Sequence, residues 1–243
     1  MLEALGLTIP HRLHDVTVQL RTNRVTAICG PNGAGKSTLL AALAGLIAPS
    51  AGTVTLASQL IAEVEPQDRA GRIGYLPQSG EVAWNISVRT LAALGRLPHR
   101  TGTAEDTRIV TEVLGALDLE ALADRPLTTL SGGERARALL ARVLATQPQW
   151  ILADEPLAAL DLAHQRALAR RFGMLAQEGR GVVLVVHDLA LAMNHADHVI
   201  VLDQGCVAAQ GKPADALSEA VISKVWNIKS RWLGEPGHQA LAL

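Results

Sequence analysis

Apolar residues along the chain follow three successive patterns, each of which predicts a different kind of structure. Near the start, short apolar runs predict β-strands at residues 16–20, 25–29, 53–57 and 73–76. A helix is predicted over residues 36–46, ending before Pro49 and Gly52. In the middle, apolar residues recur every three or four positions and predict helices at residues 88–97, 104–117 and 134–146.

The third pattern alternates strands with a helix. Apolar runs predict strands at 151–154 and 182–186, and the helix between them begins after Asp161, a good N-cap residue, and ends at Gly179. A hairpin is predicted around residues 203–205, followed by a polar tail. The patterns together predict an α/β protein whose parallel-sheet core is interrupted by an all-helical insert. The predicted segments are 1–86 and 148–243 for the core and 87–147 for the insert.

Composition narrows the classes of protein that fit these patterns. Hydrophobic residues make up 49% of the chain and aromatic residues only 2%, so the core is expected to be aliphatic. The 22 basic residues nearly balance the 23 acidic ones and form no basic block, which argues against a nucleic-acid partner. Cys29 and Cys206 lack metal or redox spacing, and the apolar runs are shorter than the roughly 20 residues of a membrane-spanning helix. We therefore expect a cytoplasmic protein without a membrane span.

One glycine-rich segment follows a predicted strand and precedes a predicted helix, which is the setting of a phosphate-binding loop. It fits G-x-x-x-x-G-K-[ST], and its residues are Gly30, Pro31, Asn32, Gly33, Ala34, Gly35, Lys36, Ser37 and Thr38. Backbone N–H groups in such a loop bind phosphate oxygens, while Lys36 reaches the β- and γ-phosphates and Ser37 binds Mg²⁺. An ordinary glycine-rich turn is the alternative, and the strand–loop–helix setting disfavours it. The loop alone leaves a kinase, a GTPase or a motor possible.

A second glycine-containing segment, Leu130-Ser131-Gly132-Gly133-Glu134, begins a predicted helix. Ser131 and Glu134 have the spacing of a capping box, which is the structural explanation of the segment. A capping box does not explain two consecutive glycines, which weaken a helix but allow an anion to approach the exposed N–H groups. The segment is thus a candidate second phosphate-binding surface, far from the first in sequence.

The segment LSGGE resembles the signature motif of the ABC (ATP-binding-cassette) ATPases. That resemblance implies an α/β fold of the P-loop NTPase (RecA-like) type, with N-terminal antiparallel strands and an inserted helical subdomain. In this family the signature of one subunit closes over the ATP held by its partner. A single copy of each motif therefore implies a head-to-tail pair of this chain, with ATP contacted in trans by Ser131, Gly132, Gly133, Glu134 and Asp161.

Other segments match the family in the same order along the chain. Residues 150–155 resemble the Walker B strand, which implies that Asp154 holds Mg²⁺ and Glu155 polarises the attacking water. Gln78 resembles the Q-loop residue of the family, and His187 resembles its switch histidine. The catalytic residues that the resemblance implies are Glu155, His187 and Gln78. The Mg²⁺ ligands that it implies are Ser37, Gln78 and Asp154.

Each of these matches also has a plain structural reading. An acidic pair at a strand end is commonly solvated or caps a helix. Taken alone, His187 would be a hydrogen-bonded structural residue, and with His195 and His198 it could suggest a metal site. That grouping follows no zinc spacing.

The chain also departs from the family pattern. Residues 2–14 contain no aromatic residue to stack on adenine, which leaves Leu7, Ile9 or His11 for a weaker contact. Leu157 and Ala159 stand where Thr and Ser are common. Neither change removes a catalytic group.

Residues 88–99 and 160–165 resemble the ATPases of iron–siderophore, haem and cobalamin importers. The implied function is ATP hydrolysis with Mg²⁺, coupled to uptake of a metal chelate through separate membrane permease subunits and indirectly a substrate-binding protein. The implied location is the cytoplasmic face of the inner membrane. The alternatives are an importer ATPase for another solute, a soluble ABC protein acting on ribosomes or DNA, and a regulatory cassette that does not hydrolyse ATP.

Overall fold

The computed structural model describes residues 1–78, 85–99, 102–158 and 160–243. Its strands are β1 (Leu2–Ile9), β2 (Leu13–Leu20), β3 (Arg24–Cys29), β4 (Ala51–Leu56), β5 (Gln59–Leu60), β6 (Ile73–Leu76), β7 (Trp150–Asp154), β8 (Gly181–Val185), β9 (His198–Asp203), β10 (Cys206–Gly211), β11 (Arg231–Leu233) and β12 (Ala240–Ala242). Its helices are α1 (Lys36–Leu43), α2 (Pro66–Arg72), α3 (Val88–Leu94), α4 (Thr103–Ala116), α5 (Gly132–Ala145), α6 (Leu162–Gln177), α7 (Leu189–His195), α8 (Pro213–Ala216) and α9 (Glu219–Trp226).

The main sheet has six strands in the order β10-β9-β3-β8-β7-β6, and all its pairings are parallel except that of β10 with β9. Every residue of β7 and β8 is buried, as expected for parallel strands that are covered on both faces. Because the strands are parallel, the carboxyl ends of β3, β6, β7 and β8 meet at one edge of the sheet. This arrangement confirms the predicted α/β class.

A second, antiparallel sheet has the order β2-β1-β4-β5 and confirms the expected antiparallel start. Strand β1 was not predicted, although Leu2, Ala4 and Leu7 are fully buried. The reason is Gly6, which adopts a φ of 60° and shifts the pairing register between Ala4 and Leu7. That shift breaks the strict alternation of apolar residues by which a strand is recognised.

Most predicted elements are present, with different ends. The first helix ends at Leu43 rather than residue 46 because Gly45 adopts a left-handed φ of 71°. Asp161 caps α6 and Gly179 follows its end with a φ of 102°, as predicted. The hairpin at β9 and β10 is also confirmed, with Gln204 and Gly205 at positive φ as a type I′ turn requires.

The prediction of a polar tail after the hairpin was wrong. The segment forms α8, α9 and the hairpin of β11 with β12. It folds because a few apolar side chains, such as the fully buried Ile222 and Leu217, pack onto the main core.

Two hydrophobic cores lie on opposite faces of the main sheet. One joins α3, α4 and α5 to one face, so the helices of the middle segment pack directly on the sheet. The other lies between the main sheet, α1 and the antiparallel sheet. The boundaries of the insert, 87–147, stay a prediction. Among the helices of the described residues, none has the length and apolar character needed to cross a bilayer.

Substitution of Gly181 by Ala is expected to destabilise the fold by about 2 kcal/mol through overpacking. Gly181 pairs with Trp150 across β8 and β7, and a Cβ at Gly181 would lie 2.2 Å from the buried Trp150 ring. Urea unfolding of the two proteins measures the difference. Gly173→Ala in α6 is the control, because no described residue outside that helix lies within 4 Å of a Cβ there and Ala favours a helix. Equal stability of wild type and Gly181→Ala would contradict the packing.

Candidate functional site

The phosphate loop, residues 30–38, connects β3 to α1 at the carboxyl edge of the main sheet. Gly30 has a φ of 151°, and a Cβ there would lie 2.2 Å from the backbone oxygen of Leu202. Gly35 has a φ of 95°, and a Cβ there would lie 2.7 Å from the backbone oxygen of Arg12. Neighbouring backbone therefore fixes the loop, and only glycine fits at these two positions.

Lys36 is 6% exposed, and its ammonium donates hydrogen bonds of 2.9 Å to the backbone oxygens of Gly30 and Pro31. Burial lowers the pKa of Lys36, and the negative charge of Glu155 acts against that shift. The ammonium is therefore held inside the loop by carbonyl oxygens, for which phosphate oxygens can substitute at similar distances.

Asp154, the last residue of β7, is 4% exposed, and its Oδ1 atom has no hydrogen-bond partner. Burial raises the pKa of this carboxyl, while a hydrogen bond with Ser37 lowers it. A buried carboxylate oxygen without a partner costs free energy, which a nearby cation would offset. Asp154 and Ser37 offer the oxygen ligands that Mg²⁺ prefers, so these two residues fit a magnesium ion.

Glu155 and His187 follow the adjacent strands β7 and β8 and contact each other through Glu155 Oε1 and His187 Nε2. Glu155 adopts a φ of 51°, and its N–H donates to the backbone oxygen of Val185 at 3.1 Å. Asp154 is buried as the last residue of the fully buried β7, whereas the Glu155 side chain is 13% exposed and the His187 side chain 46% exposed.

These residues surround one open cleft of about 560 Å³. The cleft brings together nine of the eighteen predicted site residues, from four segments of the chain. Its lining residues are Arg12, Asn32, Gly33, Gly35, Lys36, Ser37, Thr38, Gln78, Glu155 and His187. Such a polar cleft, with backbone N–H groups and an ammonium on one wall and a carboxylate on the other, suits a triphosphate and an attacking water.

Arg12 is the lining residue that the sequence did not reveal. It lies in the turn between β1 and β2, and its side chain makes no ion pair or hydrogen bond with another described residue. The turn is held from two sides: Arg12 O lies against both Gly35 and Gly205, and the His14 N–H donates to Gly205 O at 2.9 Å. A single arginine in a turn between two strands matches no sequence motif for nucleotide binding. Only the folded chain brings this turn next to the phosphate loop.

The expected weaker substitutes for an adenine-stacking aromatic do not occupy the cleft. Leu7 is 0% exposed and Ile9 is 8% exposed, since both belong to the apolar core beneath the antiparallel sheet. His11 is exposed but is not among the described residues that line the cleft. The prediction was therefore wrong for Leu7 and Ile9, because in this strand they face the core.

The signature segment begins α5, as predicted, and its capping box is present. The Glu134 N–H donates to Ser131 Oγ at 3.3 Å, and the Ser131 N–H donates to Glu134 Oε2 at 2.7 Å. Among the described residues, none lies within 4 Å of a Cβ placed on Gly132 apart from its neighbours and its own helix backbone, so packing against them does not require glycine there. Ser131 and Gly132 are exposed, and the segment is not among the described residues that line the cleft.

Asp161 is exposed and caps α6 by accepting from the His164 N–H at 2.9 Å, and its Oδ1 also lies 2.8 Å from His164 Nδ1. These hydrogen bonds lower the pKa of Asp161. Asp161, too, does not line the cleft of the described chain. Leu157 is buried, and the departure noted at Ala159 lies outside the described residues.

Comparison with known proteins agrees with this geometry. A family model described as ABC transporter matches residues 13–158. The hemin import ATP-binding protein HmuV of Rhodococcus jostii (strain RHA1) is 47% identical over 216 residues, which cover 88% of this chain and 74% of that protein.

Solved structures extend the similarity to the fold. An inward-facing ABC transporter of the metal-chelate type has a TM-score of 0.84 at 25% identity, covering 99% of this chain and 95% of that one. A dimeric ATP-binding cassette in a post-hydrolysis state with ADP and phosphate has a TM-score of 0.79 at 25% identity, covering 88% and 99%. The chain thus belongs to the ABC transporter family and is one of its ATP-binding, ATP-hydrolysing subunits.

Proposed function

We propose that this chain hydrolyses ATP in the cleft at the carboxyl edge of the main sheet and thereby drives uptake of haem or a related metal chelate through separate permease subunits. The observation that carries the proposal is the convergence of Lys36, Glu155 and His187 on one cleft with the phosphate loop, where the buried Asp154 hydrogen-bonds to Ser37. The chelate class is supported by the names of the relatives, which are hemin import proteins at 47% and 42% identity.

Within the cleft, each side chain is proposed to have a separate task. The loop N–H groups and the Lys36 ammonium bind the β- and γ-phosphates and stabilise the charge on the phosphoryl oxygens during transfer. Glu155 accepts a hydrogen bond from the attacking water and orients it. His187, which already contacts Glu155, contacts the γ-phosphate, and Gln78 contacts the same water.

Ser37, Asp154 and Gln78 are proposed to hold Mg²⁺. Support comes from the unpartnered Asp154 Oδ1, from the hydrogen bond between Ser37 and Asp154, and from Gln78 in the lining of the cleft. When bound, Mg²⁺ would neutralise part of the phosphate charge.

Two copies of the chain are proposed to enclose ATP head to tail. The supporting observation is that Ser131, Gly132, Gly133 and Glu134 form an open, glycine-containing helix start that does not line the cleft of its own chain. N–H groups at such a helix start attract phosphate, so the segment suits the ATP of a partner copy. Asp161, exposed at the start of α6, is proposed to lie at the same interface.

The permease is proposed to dock in a groove of about 450 Å³ between the main sheet and the helices of the middle segment. Leu46 and Leu97 line this groove together and are 58% and 74% exposed, so the groove presents adjacent apolar side chains that a partner would cover. Tyr75 of β6 also lines the groove, and Gln78, only three residues further on, lines the cleft. The proposed occupant of the groove is a short helix at the cytoplasmic end of a permease. Movement of the two copies of this chain around ATP would reach that helix through the segment from Tyr75 to Gln78.

The proposed location of the chain is therefore peripheral, at the cytoplasmic face of the inner membrane. A substrate-binding protein would act on it indirectly, through the permease.

Glu155→Gln is expected to lower ATP turnover about a hundredfold while ATP still binds, because an amide of the same shape orients water poorly and cannot accept a proton. Phosphate release and equilibrium ATP binding measure the two effects separately. Glu63→Gln, at an exposed position away from the cleft, is the matched control. Near-normal turnover of Glu155→Gln would reject the role of Glu155.

Arg12→Ala is expected to weaken the affinity for ATP roughly tenfold, because a charge-assisted hydrogen bond to the nucleotide is lost. Fluorescence titration with a nucleotide analogue measures the dissociation constant. Arg231→Ala removes an exposed arginine that is not among the residues lining the cleft and should leave the affinity unchanged. An unchanged dissociation constant for Arg12→Ala would remove Arg12 from the nucleotide site.

The transport function is tested by uptake of labelled haem in cells that make this chain with its permease. Lys36→Ala is expected to abolish uptake, because the ammonium that binds the phosphates is gone.

Leu97→Glu is expected to reduce uptake at least severalfold, since a charge in the groove opposes docking of the permease. ATP hydrolysis by the isolated subunit is expected to be retained.

Labelled cobalamin and ferric siderophore are assayed in parallel with haem. Uptake of one of these in place of haem would move the substrate assignment to that solute. If uptake of all three is independent of Lys36, the transport proposal fails.

A further inference from the structure

A second polar cleft, of about 370 Å³, lies at the opposite end of the main sheet from the phosphate loop. Thr26 of β3 and His198 of β9 are direct neighbours in the parallel pairing, and strands β2 and β10 also contribute to the lining. The lining residues are Thr17, Val18, Gln19, Arg21, Arg24, Thr26, His198 and Gln210.

This cleft is separate from the nucleotide site. Arg24 begins β3, whereas the phosphate loop follows Cys29 at its other end. A strand of that length spans roughly 20 Å, and the two clefts have no lining residue in common.

The charged side chains among the described residues that line the cleft are basic. Arg21 and Arg24 make no ion pair with a described residue, and no carboxylate is among the described residues that line the cleft. Burial lowers the pKa of His198, and the positive charges of Arg24 and Arg21 lower it further. The two guanidinium groups on one cleft disfavour a further positive charge at His198, so a bound anion would stabilise the arrangement.

The floor of the cleft is polar where an apolar residue would be expected. Thr26 is 2% exposed, and its hydroxyl makes no hydrogen bond with another described residue. Ile28, two positions further along the same face of β3, belongs to the apolar core between the two sheets. The hydroxyl oxygen is not one of the enclosed polar atoms of the described chain, so it is accessible from the cleft and can bond to a ligand there.

We propose that this cleft binds a phosphate or phosphomonoester dianion. Arg21 and Arg24 supply guanidinium donors suited to phosphate oxygens, and Thr26 donates from the floor. Gln19 of β2 and Gln210 of β10 also line the cleft, so their amides are available as further donors. The inference concerns its own set of residues and does not depend on the proposed transport function.

Titration with inorganic phosphate tests the proposal, with the His198 imidazole followed by NMR and identified by its loss in His198→Gln. Phosphate is expected to shift the His198 resonance and to raise its pKa, because the anion offsets the two arginines. Arg24→Ala is expected to weaken the response roughly tenfold, whereas the control Arg231→Ala leaves it unchanged.

The phosphate loop is a second place where phosphate could bind, so the titration is repeated on Lys36→Ala. An equal His198 response in wild type and Lys36→Ala supports a separate site, even if the proposed ATPase site fails its own test. If the His198 resonance does not respond to phosphate, or responds equally in Arg24→Ala, the proposal is overturned.

Two further titrations distinguish the source of the phosphomonoester. Glycerol 3-phosphate is a soluble ligand, and vesicles containing phosphatidic acid present the same group on a lipid. Competition by glycerol 3-phosphate for the phosphate response supports a soluble ligand. Flotation with the vesicles that is lost in Arg24→Ala supports a lipid headgroup. If Arg24→Ala responds like wild type in both titrations, the site does not bind this chemical class.

Discussion

Parallel pairing of β3, β6, β7 and β8 is the constraint on which the rest of the structure depends. The pairing aligns their carboxyl ends, so the residues that follow each strand meet at one edge although they are far apart in sequence. Lys36, Gln78, Glu155 and His187 all follow such strands and line the same cleft. If one strand slipped by a single residue, its side chains would exchange faces of the sheet, and the site would lose the side chain that follows the strand.

The sequence predicted the parts of the site that are local and missed those that arise from tertiary contacts. The phosphate loop, the capping box of α5 and the cap of α6 each occupy a few consecutive residues, and their patterns reflect local hydrogen bonds. Arg12 reaches the cleft only because its turn packs against Gly35 and Gly205. No pattern within the turn itself carries that information.

The same distinction explains the errors in the fold. Strand β1 was missed because Gly6 shifts its register, although its buried residues belong to the core beneath α1. The C-terminal helices were missed because their apolar residues are few, and Ile222 becomes a core residue only against the main sheet. Predicted elements with many apolar residues at regular spacing, such as α4 and α5, were found with ends shifted by a few residues.

Asp154 and Glu155 are consecutive carboxylates in different environments. Asp154 ends a fully buried strand, and one of its carboxylate oxygens has no hydrogen-bond partner, which a cation would supply with a favourable contact. Glu155 leaves the strand direction through a φ of 51°, which places its carboxylate beside His187 at the open cleft. A non-glycine residue in this conformation costs on the order of 1 kcal/mol or more, which the surrounding structure must offset. The Glu155 N–H to Val185 bond and the contact with His187 hold it there. The buried carboxylate is thus suited to the proposed cation, and the next one, beside His187 at the cleft, to the proposed role with water.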